Sequence, residues 1–381
     1  MRLNVLSVIY LMVNFTLMSW QSLAQDSKAC HLKKAENSLK TIHVLAISPE
    51  ASPLQFWGIY RQILTAAAKD LNIHLELINI EEKDDNRFSF QGLLQNRLSR
   101  SPKPDFVLTP LFLNAEFITL ELFEQYKVPF MVVNTSVSKS FRQRVGKPRE
   151  KYSQWLGNLT PNDEQAGYDL ARILIEQAKK SKQSKSITIA AISGPTDSSV
   201  SQLRVSGLAK ASSHLKAHQL PEIYTNWHYG KSLYAAQAIF RRMPDTQVVW
   251  TAGPDIAHAV ADYLANQPFK NKVLVGTFDW TPNSLKLLKN GEIYATMGGH
   301  FVDGAWALVM LLDYANNIDF AQELGTDIST KLHPLTAKDA AHIESVLFTS
   351  NWQNLDFKQF SKCYTPSRRQ YDFSLKALFS Y

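Results

Sequence analysis

The 381 residues contain only two cysteines, no Gly-x-Ser-x-Gly elbow, no phosphate-cradling glycine-rich loop and no His/Asp grouping at metal-ligand spacing. Those gaps remove the sequence marks of nucleophilic hydrolysis, of phosphoryl transfer and of metal-assisted chemistry, and with them any call for a cofactor. Beyond the first two dozen residues no stretch approaches the ~18 apolar residues of a membrane span. Dense positive charge is lacking too. Lys and Arg number 41 against 34 Asp and Glu, a net charge of +7, yet the basic residues are scattered. Their densest groups, KKSKQSK at 179–185 and SRR at 367–369, read as solvated loops, so nucleic acid is not an expected partner.

What is present begins at the amino terminus. MRLNVLSVIYLMVNFTLMSWQSLAQDS has one Arg, an apolar stretch and then Ser22-Leu23-Ala24 before a polar segment. Small residues at that spacing fit a secretory signal peptide over residues 1–24, cut after Ala24. An uncleaved anchor helix is the alternative, which Asn14, Thr16, Ser19 and Gln21 disfavour. Lys28 and Ala29 before Cys30 do not form a lipobox. An exported chain reaches an oxidising compartment, where an even cysteine count invites a Cys30–Cys363 disulfide. Two unrelated thiols are the other reading.

From residue 42 onward, short apolar runs alternate with helical patterns. Strands are expected at 42–47, 73–80, 105–109 and 129–134, and again at 187–193, 222–227, 248–252, 272–278 and 293–297. Helical periodicity fills most of the gaps between them. Strands separated by helices of 10–15 residues require parallel sheets covered on both faces. A loop rich in Lys, Arg and Ser near 135–153 splits the alternation, so the fold class is α/β with two doubly wound lobes.

Open parallel sheets take ligands at the carboxyl ends of their strands. Ser48, Phe56 and Trp57 follow the first strand, and Asn134 ends the fourth. On the second lobe Trp227, Pro254–Asp255, Asp279–Trp280 and His300 hold corresponding places. The set is rich in aromatics, amides and carboxylates and contains no activated nucleophile. Phe56 and Trp57, in PLQFWGIYRQI, are either packing for the core or a flat face for a ligand.

Four stretches in order carry a resemblance. They are SPLQFWGIYRQILTAAAKDLNIHLELI, PNDEQAGYDLARILI (161–175), SQLRVSGLAKA (201–211) and VLVGTFDWTPNSLKLLKNGEIYATM (273–297). Over residues 42 to about 318 the chain resembles the type I periplasmic solute-binding proteins, the ribose- and galactose-binding group. Their fold is shared with the effector domains of lactose-repressor-like regulators, but an export signal stands where a repressor would carry its helix-turn-helix. The resemblance implies two lobes joined by a three-strand hinge. It assigns 42–135 plus about 281–300 to the first lobe and 154–280 plus about 301–320 to the second; beyond it lies an extension, 321–381, whose aromatics suggest packing back on a lobe or, alternatively, a surface for a partner. Chain crossings are expected near 135–158, 278–282 and 298–320.

By the same resemblance Phe56 or Trp57 forms one wall of a sugar site and Trp227 the other. Arg204 offers its guanidinium fork to two hydroxyls or a carboxylate, and Asp279 accepts from hydroxyls. Asn134 stands where many sugar binders have Asp, Pro254 where they have Asn, and His300 where they have Gln. A histidine there introduces a pH dependence near neutrality. The implied function is a periplasmic substrate-binding protein, not an enzyme, closing on a small polar, sugar-like ligand. Its partner is the membrane permease of an ATP-driven importer; the alternative is the periplasmic domain of a sensor kinase.

Overall fold

Strand β1 (His43–Pro49) shows why the sheets are interior. Its alternate residues Val44 and Ala46 enter one apolar cluster while Leu45 and Ile47 enter another, so both faces are covered. Near-continuous apolar runs are what such doubly covered strands need. The computed structural model describes residue 39 and residues 41–81, 87–111, 115–135, 137, 139–182, 186–348 and 352–379. The expected signal peptide and Cys30 lie outside the described residues. No helix among them is long and apolar enough to cross a membrane.

The chain is α/β with two sheets. Beside β1, the first contains β2 (His74–Ile80), β3 (Phe106–Thr109), β4 (Phe130–Val133), β5 (Trp155–Pro161) and β12 (Asp327–Thr330). Their order is β12-β5-β4-β3-β1-β2, and every pairing is parallel. The second contains β6 (Thr188–Ser193), β7 (His218–Gln219), β8 (Ile223–Tyr224), β9 (Val248–Thr251), β10 (Leu274–Phe278), β11 (Ala295–Gly298) and β13 (His333–Leu335). Its order is β13-β11-β10-β9-β6-β7, with β8 also on β6. Only the edge pair β11–β13 is antiparallel.

Sheet membership corrects the expected lobe boundaries. Residues 295–298 pair with β10 in the second sheet, not the first. Trp155–Pro161, expected in the second lobe, pairs with β4 in the first. Helix Asp303–Ala315, also expected in the second lobe, packs on the first against helix Phe56–Asp70, where Gly304 lies against the Tyr60 ring. The chain therefore passes between sheets at 161–163, 299–303 and 330–333 rather than near 135–158 and 278–282. These places depend on long-range strand pairing, which local periodicity does not encode.

The residues after 320 are part of both lobes. They supply an edge strand to each sheet, and helix Ala337–Phe348 packs on helix Pro282–Lys289. The chain then returns to the first lobe, as its aromatics suggested. Trp306 meets the rings of Phe357, Phe360 and Phe373. Asp70 accepts from the Phe357 and Lys358 amides at 2.8 and 3.0 Å. The buried Asp313 accepts from Ser361 Oγ, the Lys362 and Cys363 amides and Tyr371 Oη. Cys363 is buried and disulfide-bonded.

Candidate functional site

The carboxyl ends of both sheets open on one cleft of about 660 Å³. Phe56, Trp57, Asn134, Arg204, Trp227, Asp255, Asp279 and His300 all line it. Ser48 does not. Strand β1 runs on to Pro49, so Ser48 is buried within it and its hydroxyl lies 3.4 Å from Arg61 Nη1 as an acceptor. The following residues, Pro49 to Ala51, reach the cleft instead.

Phe56 and Trp57 are the first two residues of helix Phe56–Asp70, not loop residues. Their rings meet edge to face at 5.2 Å, and Trp57 meets Tyr60 at the same distance. Phe56 stacks on His300 with centroids 4.6 Å apart. One aromatic thus packs inward and also shapes the cleft wall. The pair therefore packs on the core and also lines the cleft.

On the opposite lobe Trp227 is held by an unusual backbone. Asn226 and Trp227 have φ of 53° and 61°, left-handed values that non-glycine residues adopt at a cost. Two glycines make room for the indole. A Cβ added to Gly194 would fall 2.2 Å from the Trp227 ring, and one at Gly253 would fall 3.2 Å away. Gly194→Ala is expected to cost about 1–3 kcal/mol through overpacking, whereas Gly253→Ala costs less. Thermal unfolding of the two variants checks this, and equal melting temperatures would show that the indole is free to move aside.

Arg204 is placed by helix-to-helix contact. Helices Asp163–Lys182 and Ser199–His214 touch where Gly167 faces the Arg204 backbone and Gly207 faces the Glu164 carbonyl; a Cβ at either glycine would fall about 2 Å from those oxygens. The Ala-Gly and Arg-x-x-Gly motifs are therefore two sides of one contact. It brings Arg204 Nε to 2.7 Å from Asp163 Oδ1, while Nη1 donates to the Ala252 carbonyl at 2.8 Å. The guanidinium also lies 4.1 Å from the Phe278 ring centroid. Both partners of the ion pair are buried. Burial pushes the Asp163 carboxyl up, and the Arg204 charge opposes that shift.

Asp279 ends β10 with φ of 68° and is nearly buried. Burial raises its carboxyl to about 6 against the lowering effect of Arg204, with Asp163 and Asp255 adding to the rise. His300 Nε2 approaches Asp279 Oδ1 at 3.5 Å. This is not an ion pair, because burial and the Arg204 charge hold the imidazole well below its ordinary range. The expected histidine titration near neutrality is thereby corrected. His300 stays neutral, and Asp279 is the group that changes charge.

Several buried polar atoms of these residues have no protein partner. Asn134 Nδ2, Asp279 Oδ1 and His300 Nδ1 each lack a hydrogen bond within the protein. Sequence reasoning missed Glu50, Gln55 and Asp197, which also line the cleft. It also missed Asp163, although that residue stands inside the quoted PNDEQAG. Gln55, preceding the first-lobe helix, donates from Nε2 to Asp255 Oδ2 at 3.3 Å across the cleft. Pro254 opens helix Pro254–Ala265 and contributes no amide, so Gln55 is the side-chain amide at that point.

Comparison with known proteins agrees with this architecture. Residues 130–317 match the periplasmic binding protein domain. A stretch of 129 residues is 28% identical to the D-allose-binding periplasmic protein of Escherichia coli K12, covering 33% of this chain and 41% of that protein. The matched stretch thus spans less than half of that relative's length. Among solved structures, a periplasmic sugar-binding protein from Pseudomonas fluorescens is 23% identical, with a TM-score of 0.77 over 89% of this chain and all of that one. A periplasmic solute-binding protein of an ABC transporter from Actinobacillus succinogenes, solved with bound D-allose, is 17% identical. Its TM-score is 0.68 over 80% of this chain and 100% of that one. With a periplasmic binding protein domain matched over residues 130–317 and two parallel-sheet lobes facing one cleft, the chain has the fold of the type I periplasmic binding proteins.

Proposed function

We propose that this protein is an exported, periplasmic substrate-binding protein whose two lobes close on a sugar or sugar-like ligand and deliver it to an ATP-driven importer. One observation carries the reading. Buried polar atoms of Asn134, Asp279 and His300 lack protein partners beside aromatic walls from both lobes. Leaving such groups unpaired costs about 1–3 kcal/mol each, a cost that a bound polyol removes. A pyranose ring offers C–H faces to Trp57 and Trp227 and hydroxyls to the polar atoms. The relatives named for D-allose and for sugar binding support the same class. Ligand contact with both lobes favours the closed arrangement, which is what a membrane partner reads.

A thermal-shift screen against aldoses, polyols and nucleosides tests this. Ligand at ~100 times its dissociation constant stabilises the protein by about 2.7 kcal/mol. For the ligand so found, Trp227→Ala is expected to weaken binding roughly 30- to 100-fold in calorimetry, from lost apolar contact and ring stacking. A full screen without a shift would remove the carbohydrate reading.

A further inference from the structure

We propose that the cleft sorts ligands by charge, accepting polyhydroxylated compounds that are neutral or bear a protonated amine and rejecting the same skeletons bearing a carboxylate or phosphate. The inference rests on the carbohydrate reading above and adds the charge class of the ligand. Among the described residues four carboxylates line the cleft, those of Glu50, Asp197, Asp255 and Asp279, against a single guanidinium, that of Arg204, and no lysine.

Arg204 does little to offset them. Its charge is matched by the buried Asp163 carboxylate at 2.7 Å. Two edges of its fork are already committed, Nε to Asp163 and Nη1 to the Ala252 carbonyl. Capture of a carboxylate through the Nε edge is therefore closed, and the Nη2 end that remains carries a charge already matched by Asp163. The sequence alone had left that capture open. His300 adds no positive charge, because burial keeps it neutral.

Among the charges behind the lining, Arg61 faces Glu50 and donates to the Pro49 and Ala51 carbonyls, which moderates that carboxylate. The remaining three have no ion pair with a lysine or arginine among the described residues. Asp255 receives only the neutral Gln55 amide, and Asp279 Oδ1 is buried without a hydrogen-bond donor. An ammonium or a hydroxyl supplies what Asp279 Oδ1 lacks. A ligand carboxylate would instead meet like charge in a cleft whose low-dielectric walls strengthen the repulsion.

Calorimetry on the exported protein purified from the periplasm, at pH 7.5 and low salt, tests this with matched probes. The probes are glucose, galactose and mannose, each as the free sugar, the 2-amino-2-deoxy sugar and the uronic acid. Within a binding set the uronate is expected to be on the order of 100-fold weaker than the free sugar, and the amino sugar at least equal to it. Asp197→Asn and Glu50→Gln should each narrow the gap between amine and carboxylate, as should added salt. A uronate that binds as tightly as its parent, or an amino sugar bound more weakly than the uronate, would overturn the charge sorting and leave the carbohydrate reading intact. Silence from all nine compounds would count against both.

Discussion

Replacing Arg204 with alanine is expected to lower folding stability by about 3–5 kcal/mol near neutral pH, the range for breaking a buried ion pair from one side. Arg204 and Asp163 are both buried, and the pair ties the start of helix Asp163–Lys182 to helix Ser199–His214 and, through Ala252, to the end of β9. Without the guanidinium, Asp163 is left charged in a desolvated site. Burial already pushes that carboxyl up, and the substitution removes the charge that opposes the shift. An acid whose folded pKa lies above its unfolded value destabilises the protein when ionised. The penalty is fully present above the folded pKa and is relieved as pH falls through it. The variant's deficit should therefore shrink on acidification, and adding Asp163→Asn should restore most of the loss at neutral pH. Urea denaturation of the ligand-free proteins at two pH values reads all three effects. A deficit below about 1 kcal/mol, typical of an exposed pair, would show that water reaches Asp163.

The same pair shows what a sequence can and cannot carry. The alternation of apolar runs with helices announced two parallel sheets, because the central strands are buried on both faces and helices connect most of them. Strand ends then located the cleft, since sheet geometry delivers those ends to one place. Eight of the nine proposed residues line it, and the ninth, Ser48, failed by a strand that runs two residues further than its apolar run suggests. Arg204 was legible as a polar helix residue, but its partner was not. The Asp163 contact depends on Gly167 and Gly207 letting two helices approach, a relation between distant segments. Lobe exchange failed for a similar reason. The short edge strands Asp327–Thr330 and His333–Leu335 and the Gly-containing Trp155–Pro161 have weak local patterns, and tertiary pairing fixes their sheet. His300 illustrates the electrostatic limit. Its ordinary pKa suggests a switch near neutrality, and only its burial against Phe56 and beside Arg204 shows that it stays uncharged.

Asp279→Asn is expected to separate stability from binding. The Asp279 carboxyl stands at about 6 in the folded protein against an ordinary value of 3.8, which corresponds to about 3 kcal/mol of cost when it is ionised. That cost is present above about pH 6 and is relieved as pH falls toward the unfolded value. The ligand-free protein should therefore gain stability between pH 7 and pH 4 from this group, a slope that the asparagine variant loses. At pH 7.5 the variant should be more stable by about 2–3 kcal/mol, because a neutral amide replaces a buried charge of nearly the same shape. Its left-handed backbone, φ 68°, is one that asparagine tolerates well. Binding should move the other way. A ligand hydroxyl on the Asp279 carboxylate makes a charge-assisted hydrogen bond of about 1.5–3 kcal/mol, so affinity for a neutral sugar should fall roughly 10- to 100-fold in the variant. In the parent protein that affinity should weaken as pH drops below about 6, while the variant's affinity stays flat across the same range. Denaturation and calorimetry on the two proteins give both halves. A variant that binds as well as its parent would show that the ligand does not use Asp279 Oδ1. One that is no more stable at pH 7.5 would show that the charge is already solvated in the open cleft.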